Sequence, residues 1–240
     1  MRRPDRPALG PLFTTFSIVG RCGRTGRLGI AIATQAIAVA SRCPFVKAGV
    51  GAVATQANTD PRLGSAALTL LERGLSASHV IEDLVRGDPH SAYRQLGVVD
   101  HDGNAAAVTG SATRPWAGHR TGPNVVAMGN VLTGQGVVDA MFETFRAGEP
   151  DDLEERLMRA LEAGRGAGGQ QGGQRSSGLL VTDRAEYAWV DLRVDENEEP
   201  IAELRRVFEL YKPLREYFNL RPSRPEIGTP DEWLAAGEGQ

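Results

Sequence analysis

The chain has 240 residues, with 27 Lys and Arg against 30 Asp and Glu, 41% hydrophobic residues and 24% charged residues. That length and balance can bury a full core and exclude a disordered polyampholyte, and a formal charge of −3 leaves no basic footprint for nucleic acid. No apolar run reaches the eighteen or so residues that span a bilayer, so neither a membrane nor a nucleic acid is expected as a partner.

Residues 1–13 carry Arg2, Arg3, Asp5 and Arg6 among prolines and have no apolar h-region, which excludes a secretory signal and reads as a disordered or misassigned leader. Residues 14–220 are expected to form a single domain, and the Pro-rich residues 221–240 a loose tail. Cys22 and Cys43 are too few for a disulfide framework. With no Cys-x-x-Cys and no His pair at ligand spacing, no metal site is expected and the reducing cytoplasm is the default location.

In chain order, residues 13–21 read as a strand, 21–27 as turn chemistry and 28–35 as a second, β-branched strand, which makes an opening hairpin. Residues 49–56 form a third strand. Leu63, Ala67, Leu70 and Leu71 predict a helix over 61–73 with Gly74 as its terminator. Ser76 is the expected N-cap of a second helix to about Arg86. Two strands flank the turn Asp100-His101-Asp102-Gly103. Another strand is expected over 124–132, helices over 136–146 and 153–163, a Gly/Gln loop over 164–174, strands over 177–182 and 187–194, and a closing helix over 200–217. Hairpins alternating with helix pairs exclude parallel crossovers as the organising unit. Apolar runs such as Ile30-Ala31-Ile32-Ala33 imply strands covered on both faces. The expected fold class is therefore α+β, a four-layer αββα sandwich of two mainly antiparallel sheets.

Gly164-Arg165-Gly166-Ala167-Gly168-Gly169 matches a loose G-x-G-x-x-G, but a helix precedes it and a strand follows, the reverse of a dinucleotide fingerprint, so no cofactor is expected. P-loop, zincin and α/β-hydrolase markers are absent. The four histidines are scattered without a Ser or Cys partner, and only His119, in Trp116-Ala117-Gly118-His119-Arg120, has an unusual setting. Thr15 offers different chemistry. A chain-terminal threonine carries its own base in the α-amino group, which titrates near 7.7–8.0, and a nearby ammonium lowers that value further. Only Lys47 and Lys212 are lysines, and Lys47 follows Thr15 after one hairpin and a loop, enough chain to return to it.

The stretches Thr15-Phe16-Ser17-Ile18-Val19, Gly49-Val50-Gly51-Ala52-Val53-Ala54-Thr55-Gln56, Gln95-Leu96-Gly97-Val98-Val99-Asp100, Trp116-Ala117-Gly118-His119-Arg120, Gly129-Asn130-Val131-Leu132 and Asp191-Leu192-Arg193-Val194-Asp195 resemble the bacterial family called domain of unknown function 1028, over roughly residues 14–211. The resemblance implies the N-terminal-nucleophile (Ntn) hydrolase fold, the αββα sandwich of proteasome subunits and related amidases. It also implies that the counterpart of Thr15 becomes the mature N-terminus. Fourteen residues stand before it here, and Gln170 and Gly172 occupy positions where the resemblance implies Asp and Arg.

The expected activity is hydrolysis of a small-molecule or peptide-like amide, with Thr15 as nucleophile and Lys47 tuning its amine. The backbone amides of Gly49 or Gly51 and the side chain of Asn130 are the oxyanion candidates, and Thr34 and Gln35 supply supporting bonds. The alternative is a non-catalytic Ntn-like module that binds a small molecule or peptide in the same cleft while the leader stays attached. Arg21, Arg24, Arg27, Arg42, Arg114 and Arg120 are candidates for favouring an acidic ligand at the cleft mouth. A homodimer or higher homo-oligomer is expected from the habit of this fold to pair its layers.

Overall fold

A computed structural model describes residues 14–237 of the chain. Its frame is the opening hairpin: β1 (Thr15–Arg21) and β2 (Leu28–Thr34) pair antiparallel from Thr15↔Thr34 to Arg21↔Leu28, and nearly every residue in both is buried. β8 (Val125–Asn130) and β7 (Gly118–Gly122) extend the sheet beyond β1. On the other side, β9 (Ser176–Thr182) and β10 (Val190–Val194) extend it beyond β2, giving the order β10-β9-β2-β1-β8-β7. A second sheet has the order β3-β4-β5-β6, built from β3 (Pro44–Lys47), β4 (Gly51–Ala57), β5 (Arg94–Asp100) and β6 (Ala105–Thr109). All of the strand pairings are antiparallel.

Helices α1 (Pro61–Glu72) and α2 (Ala77–Gly87) cover the outer face of the four-stranded sheet, and α3 (Gly136–Ala147) and α4 (Leu153–Gly166) that of the six-stranded sheet. The architecture is the expected αββα sandwich. Asp60 caps α1 by accepting from the Arg62 amide at 3.0 Å, and Ser76 caps α2. α5 (Pro200–Tyr211) lies against β9 and β10.

Two-residue periodicity assigns each central strand to two cores. In β1, Phe16 and Ile18 join the core under α3 and α4, whereas Val19 joins Ile30, Ile32, Ala52, Ala54, Val126 and Met128 between the sheets. Val53, Leu96 and Val98 turn the other way, toward α1 and α2. Thr15 and Ser17 share the parity of Val19 and so face the gap between the sheets.

Four expectations change. β3 and β7 are edge strands that carry Pro44 or the polar run Gly118-His119-Arg120-Thr121-Gly122, so neither shows an apolar alternation. The helix expected over 200–217 stops at Tyr211, because Pro213 cannot continue it, and α6 (Arg215–Leu220) follows. The segment after Arg221, expected to be loose, carries α7 (Pro230–Ala235), which starts with a Thr229/Glu232 capping box. Its Trp233 is 6% exposed, packs on Tyr217 at 5.9 Å between ring centroids and donates from Nε1 to the Pro213 carbonyl. The expected leader, residues 1–13, lies outside the described residues.

An ionic seam joins α4 to α5 and the segment after it. Glu155 accepts from Arg159, Arg205 and Lys212, and Glu154 from Arg215 and the Trp189 indole. Arg205 also bridges to Glu162 through two hydrogen bonds. Burial pushes the Glu155 carboxyl up, but the cations around it win and hold it below its ordinary value.

Candidate active site

Six polar side chains meet between the sheets at the end where β1 begins. Thr15 and Ser17 come from β1, Thr34 from the end of β2, Asn130 from the end of β8, Gln56 from β4 and Gln95 from β5, and each is at most 4% exposed. The register brings them together: Thr15 lies between Thr34 and Asn130 in one sheet, and Gln56 pairs with Gln95 in the other. All six have the parity of the apolar residues that fill the rest of the gap. The strand periodicity that builds the inter-sheet core therefore also builds a polar pocket at its end.

The hydrogen bonds fix the orientation of the amides. Gln95 Nε2 donates to the carbonyls of Gly118 and Gly129 and to Thr109 Oγ1, at 2.9–3.1 Å, so its Oε1 must face the other way. That oxygen accepts from Gln56 Nε2 at 2.8 Å and Asn130 Nδ2 at 3.1 Å, and Gln56 Oε1 accepts from Ser17 at 2.6 Å. Asn130 thus commits its nitrogen to Gln95, and its Oδ1 is buried with no hydrogen-bond partner among the described residues. Thr15 Oγ1 lies 3.0 Å from Thr34 Oγ1. Each of these groups is neutral near physiological pH.

The residue before Thr15 is held as tightly. The Thr14 carbonyl accepts from the Gln35 amide at 3.3 Å and from the Thr34 hydroxyl, while Gln170 Nε2 donates to the Thr14 hydroxyl. Gln170 is 3% exposed, and its Oε1 is a second buried oxygen without a partner among the described residues. The 164–174 loop, rejected as a dinucleotide cradle, therefore closes over the start of β1. Gln35 Nε2 donates to the Gly172 carbonyl at 3.1 Å, on the same loop.

Lys47 is not part of this cluster. It pairs in register with Gly51, five residues along β4 from Gln56, or about 17 Å at the rise of a strand. Its ammonium forms an exposed ion pair with Glu72 at the end of α1. The other lysine, Lys212, is bound to Glu155, so the scarcity of lysine singles out neither residue for chemistry. Gly49 and Gly51 sit at the same remote end. Gly49 has φ +68 in the β3–β4 turn, and a Cβ on Gly51 would come within 2.5 Å of Leu71 on α1. Their glycines are explained by a turn and a close helix, and their amides are too far away to stabilise charge at Thr15. Arg21, Arg24 and Arg27 likewise belong to the turn end of the β1–β2 hairpin.

Ser17, Gln56, Gln95 and Gln170 were missed as site residues. The signal available for the first three was a polar residue of inter-sheet parity near the end of an otherwise apolar strand. His119 Nδ1 lies 2.9 Å from Thr109 Oγ1, which also accepts from Gln95, so a partly exposed imidazole reaches the cluster through one hydroxyl. Desolvation holds the His119 pKa below its ordinary value. Among the described residues no group of three or more His, Cys, Asp or Glu is placed to hold a metal ion, and no helix is long and apolar enough to cross a membrane.

The fold is an αββα sandwich of two antiparallel sheets, with a buried threonine, Thr15, at the head of a central strand. The chain belongs to the Family of unknown function (DUF1028), whose sequence model matches residues 15–204. The crystal structure of protein SPO2555 from Silicibacter pomeroyi, a DUF1028 protein, matches with a TM-score of 0.77 and 32% identity, covering 83% of this chain and 89% of that one. Fainter likenesses join it to Anbu (ancestral beta-subunit) from Yersinia bercovieri, with a TM-score of 0.39, 10% identity and coverage of 81% and 93%. An Anbu (Gly-1) mutant from Hyphomicrobium sp. strain MC1 has a TM-score of 0.39, 13% identity and coverage of 85% and 96%. These last two are too faint to carry an argument. The curated proteins contain no match.

Proposed function

We propose that the protein hydrolyses an amide or peptide-like bond, with Thr15 as the nucleophile once the residues before it are removed. The observation that carries this reading is the setting of its hydroxyl, 3.0 Å from Thr34 Oγ1 in a buried cluster whose other members do not ionise near neutral pH. A threonine hydroxyl needs a base. No carboxylate, imidazole or amine is hydrogen-bonded to Thr15 among the described residues, so the base is its own α-amine, which exists only after the Thr14–Thr15 bond is cut. Thr15 Oγ then attacks the substrate carbonyl while the amine takes the hydroxyl proton and passes it to the leaving nitrogen. Water hydrolyses the resulting ester and restores both groups.

The unpartnered oxygen of Asn130 supports the same reading. Asn130 lies opposite Thr15 in register, and its free Oδ1 suits a donor such as a new α-amine better than it suits an oxyanion. Thr34 and the Gln35 amide, which hold the Thr14 carbonyl, are the donors in place for charge developing on a carbonyl oxygen there. Turnover of an amide panel by the protein beginning at Thr15, and its loss in Thr15→Ala with the fold retained, is the expected result. Equal turnover by Thr15→Ala would remove this residue from the chemistry.

The enclosed position of Thr14 also favours a second reading, in which the leader stays attached and the cleft only binds a small molecule or peptide. A full-length species that binds but never turns over amides would select it.

A further inference from the structure

At the far end of β1, about 20 Å from Thr15 at the rise of a strand, a cavity of about 460 Å³ opens between the end of β1, the β7–β8 turn, the end of α3 and the start of α4. Three of its lining residues are arginines, Arg21, Arg146 and Arg156, and none forms an ion pair with a carboxylate among the described residues.

Arg156 is the anomaly. It is 5% exposed, although an arginine buried to that degree ordinarily has a counter-ion. It is the fourth residue of α4, where the positive end of the helix dipole adds to its charge. Its Nε and Nη2 both donate to the Phe145 carbonyl, at 3.2 and 3.1 Å, and its guanidinium stacks 4.1 Å above the Phe145 ring. One carbonyl, one ring face, the Cys22 side chain and the Glu149 carboxylate at the rim offset part of the charge, while Arg24 adds to it. Burial accordingly pulls the Arg156 pKa below its ordinary value.

Arg21 adds a second unmatched donor. Its Nη1 donates to Asn124 Oδ1 at 3.1 Å, while its Nε is buried with no partner among the described residues. Two carboxylates also line the cavity. Glu143 is taken up by Arg120 at 2.6 Å, which leaves Glu149, exposed at the rim, as the one acidic group without an ion pair there. Three guanidiniums against one unmatched carboxylate make a cationic cavity, and the volume accommodates a small organic anion.

We propose that this cavity is a binding site for a small molecule bearing a phosphate or carboxylate group, whose oxygens complete the bonding of Arg21 and Arg156 while Arg146 closes the rim. The site is separate from the Thr15 cluster and does not depend on hydrolysis. The test is calorimetric titration of the full chain with inorganic phosphate and, in a second arm, citrate, both at constant ionic strength set with chloride. Saturable binding of at least one anion in the millimolar range or tighter is expected, and which of the two binds more tightly assigns the ligand to phosphates or carboxylates. Arg146→Ala and Arg21→Gln should each weaken it about tenfold with the unfolding midpoint unchanged. Arg156→Lys should weaken it as well, since an ammonium cannot reproduce the fork. Because Arg156 also holds the end of α3, the decisive variant is Arg146→Ala on the exposed rim. No saturable binding of either anion, or undiminished binding by the Arg21→Gln/Arg146→Ala double variant, would overturn the proposal.

Discussion

Two of the places where the protein buries polarity are built on opposite principles. Between α4 and α5, the carboxylates of Glu154 and Glu155 are surrounded by Arg159, Arg205, Lys212 and Arg215, so charge is matched by charge. At the head of β1 the buried groups are hydroxyls and primary amides without a formal charge, and two of their oxygens, Asn130 Oδ1 and Gln170 Oε1, have no partner among the described residues. The first arrangement is a cross-link that ties the C-terminal helices to the sandwich. The second is incomplete in a way that costs stability unless a donor arrives. Glu154 leaves one of its own oxygens, Oε2, without a hydrogen bond among the described residues, so the two places differ in carrying matched charge or no charge rather than in complete saturation.

That contrast can be broken most severely at Thr15. In the form beginning at that residue, Thr15→Ala should lower amide turnover by about a thousandfold or more, as expected for loss of a nucleophile, with circular dichroism and unfolding midpoint unchanged. A midpoint that collapses would place Thr15 with the structural groups instead. In the ionic seam the reverse is expected. Arg205→Ala removes the bonds to Glu162 and Glu209 and one of the three cations around Glu155, and should cost about 2 kcal/mol in denaturant unfolding, with turnover per folded molecule unaffected.

Gln95 tests whether the neutral cluster has a framework of its own. It joins β5 to β7 and β8 through the Gly118 and Gly129 carbonyls and orients both Gln56 and Asn130. Gln95→Leu should cost about 2 kcal/mol in unfolding free energy and also lower turnover, which no seam variant should do. Unchanged stability would mean the network is not formed.

The smallest effect concerns Asp60, the N-cap of α1. The Arg62 side chain and amide hold its carboxyl at about 2, below its ordinary value of 3.8. The unfolded chain then binds the proton more readily, so the stabilisation from the carboxylate is complete above about pH 4 and is lost as pH falls toward 2. Asp60→Ala should cost about 1 kcal/mol at neutral pH, and the gap to the native chain should narrow as pH falls below about 4 and close only below about pH 2. A gap undiminished at pH 2 would contradict a carboxylate cap.

Much of the sandwich is legible in the sequence, because its central strands and amphipathic helices follow clear periods: α1, α2 with its Ser76 cap, the β5–β6 hairpin and the β1–β2 pair lie where their patterns place them. The edge strands β3 and β7 do not, since an edge needs no apolar alternation and tolerates Pro44 and a run of polar residues. The site is half legible. Thr15, Thr34, Gln35 and Asn130 were singled out and do lie around the head of β1, but Gln56, Gln95 and Gln170 become neighbours only through sheet register and a long loop. Lys47 fails for an instructive reason. Its rarity and its distance along the chain suggested a return to Thr15, yet an antiparallel hairpin carries its residues away from the starting end as readily as back. β3 presents Lys47 to Glu72 at the opposite end of the second sheet.

In the proposed mechanism Thr15 becomes a chain terminus whose own amine is the base. Intact-mass analysis of the purified protein, before and after incubation at neutral pH, tests that claim directly. It predicts a species whose first residue is Thr15, and that species should carry the amide hydrolysis. A mass that stays that of the chain from Met1 while hydrolysis proceeds would contradict it.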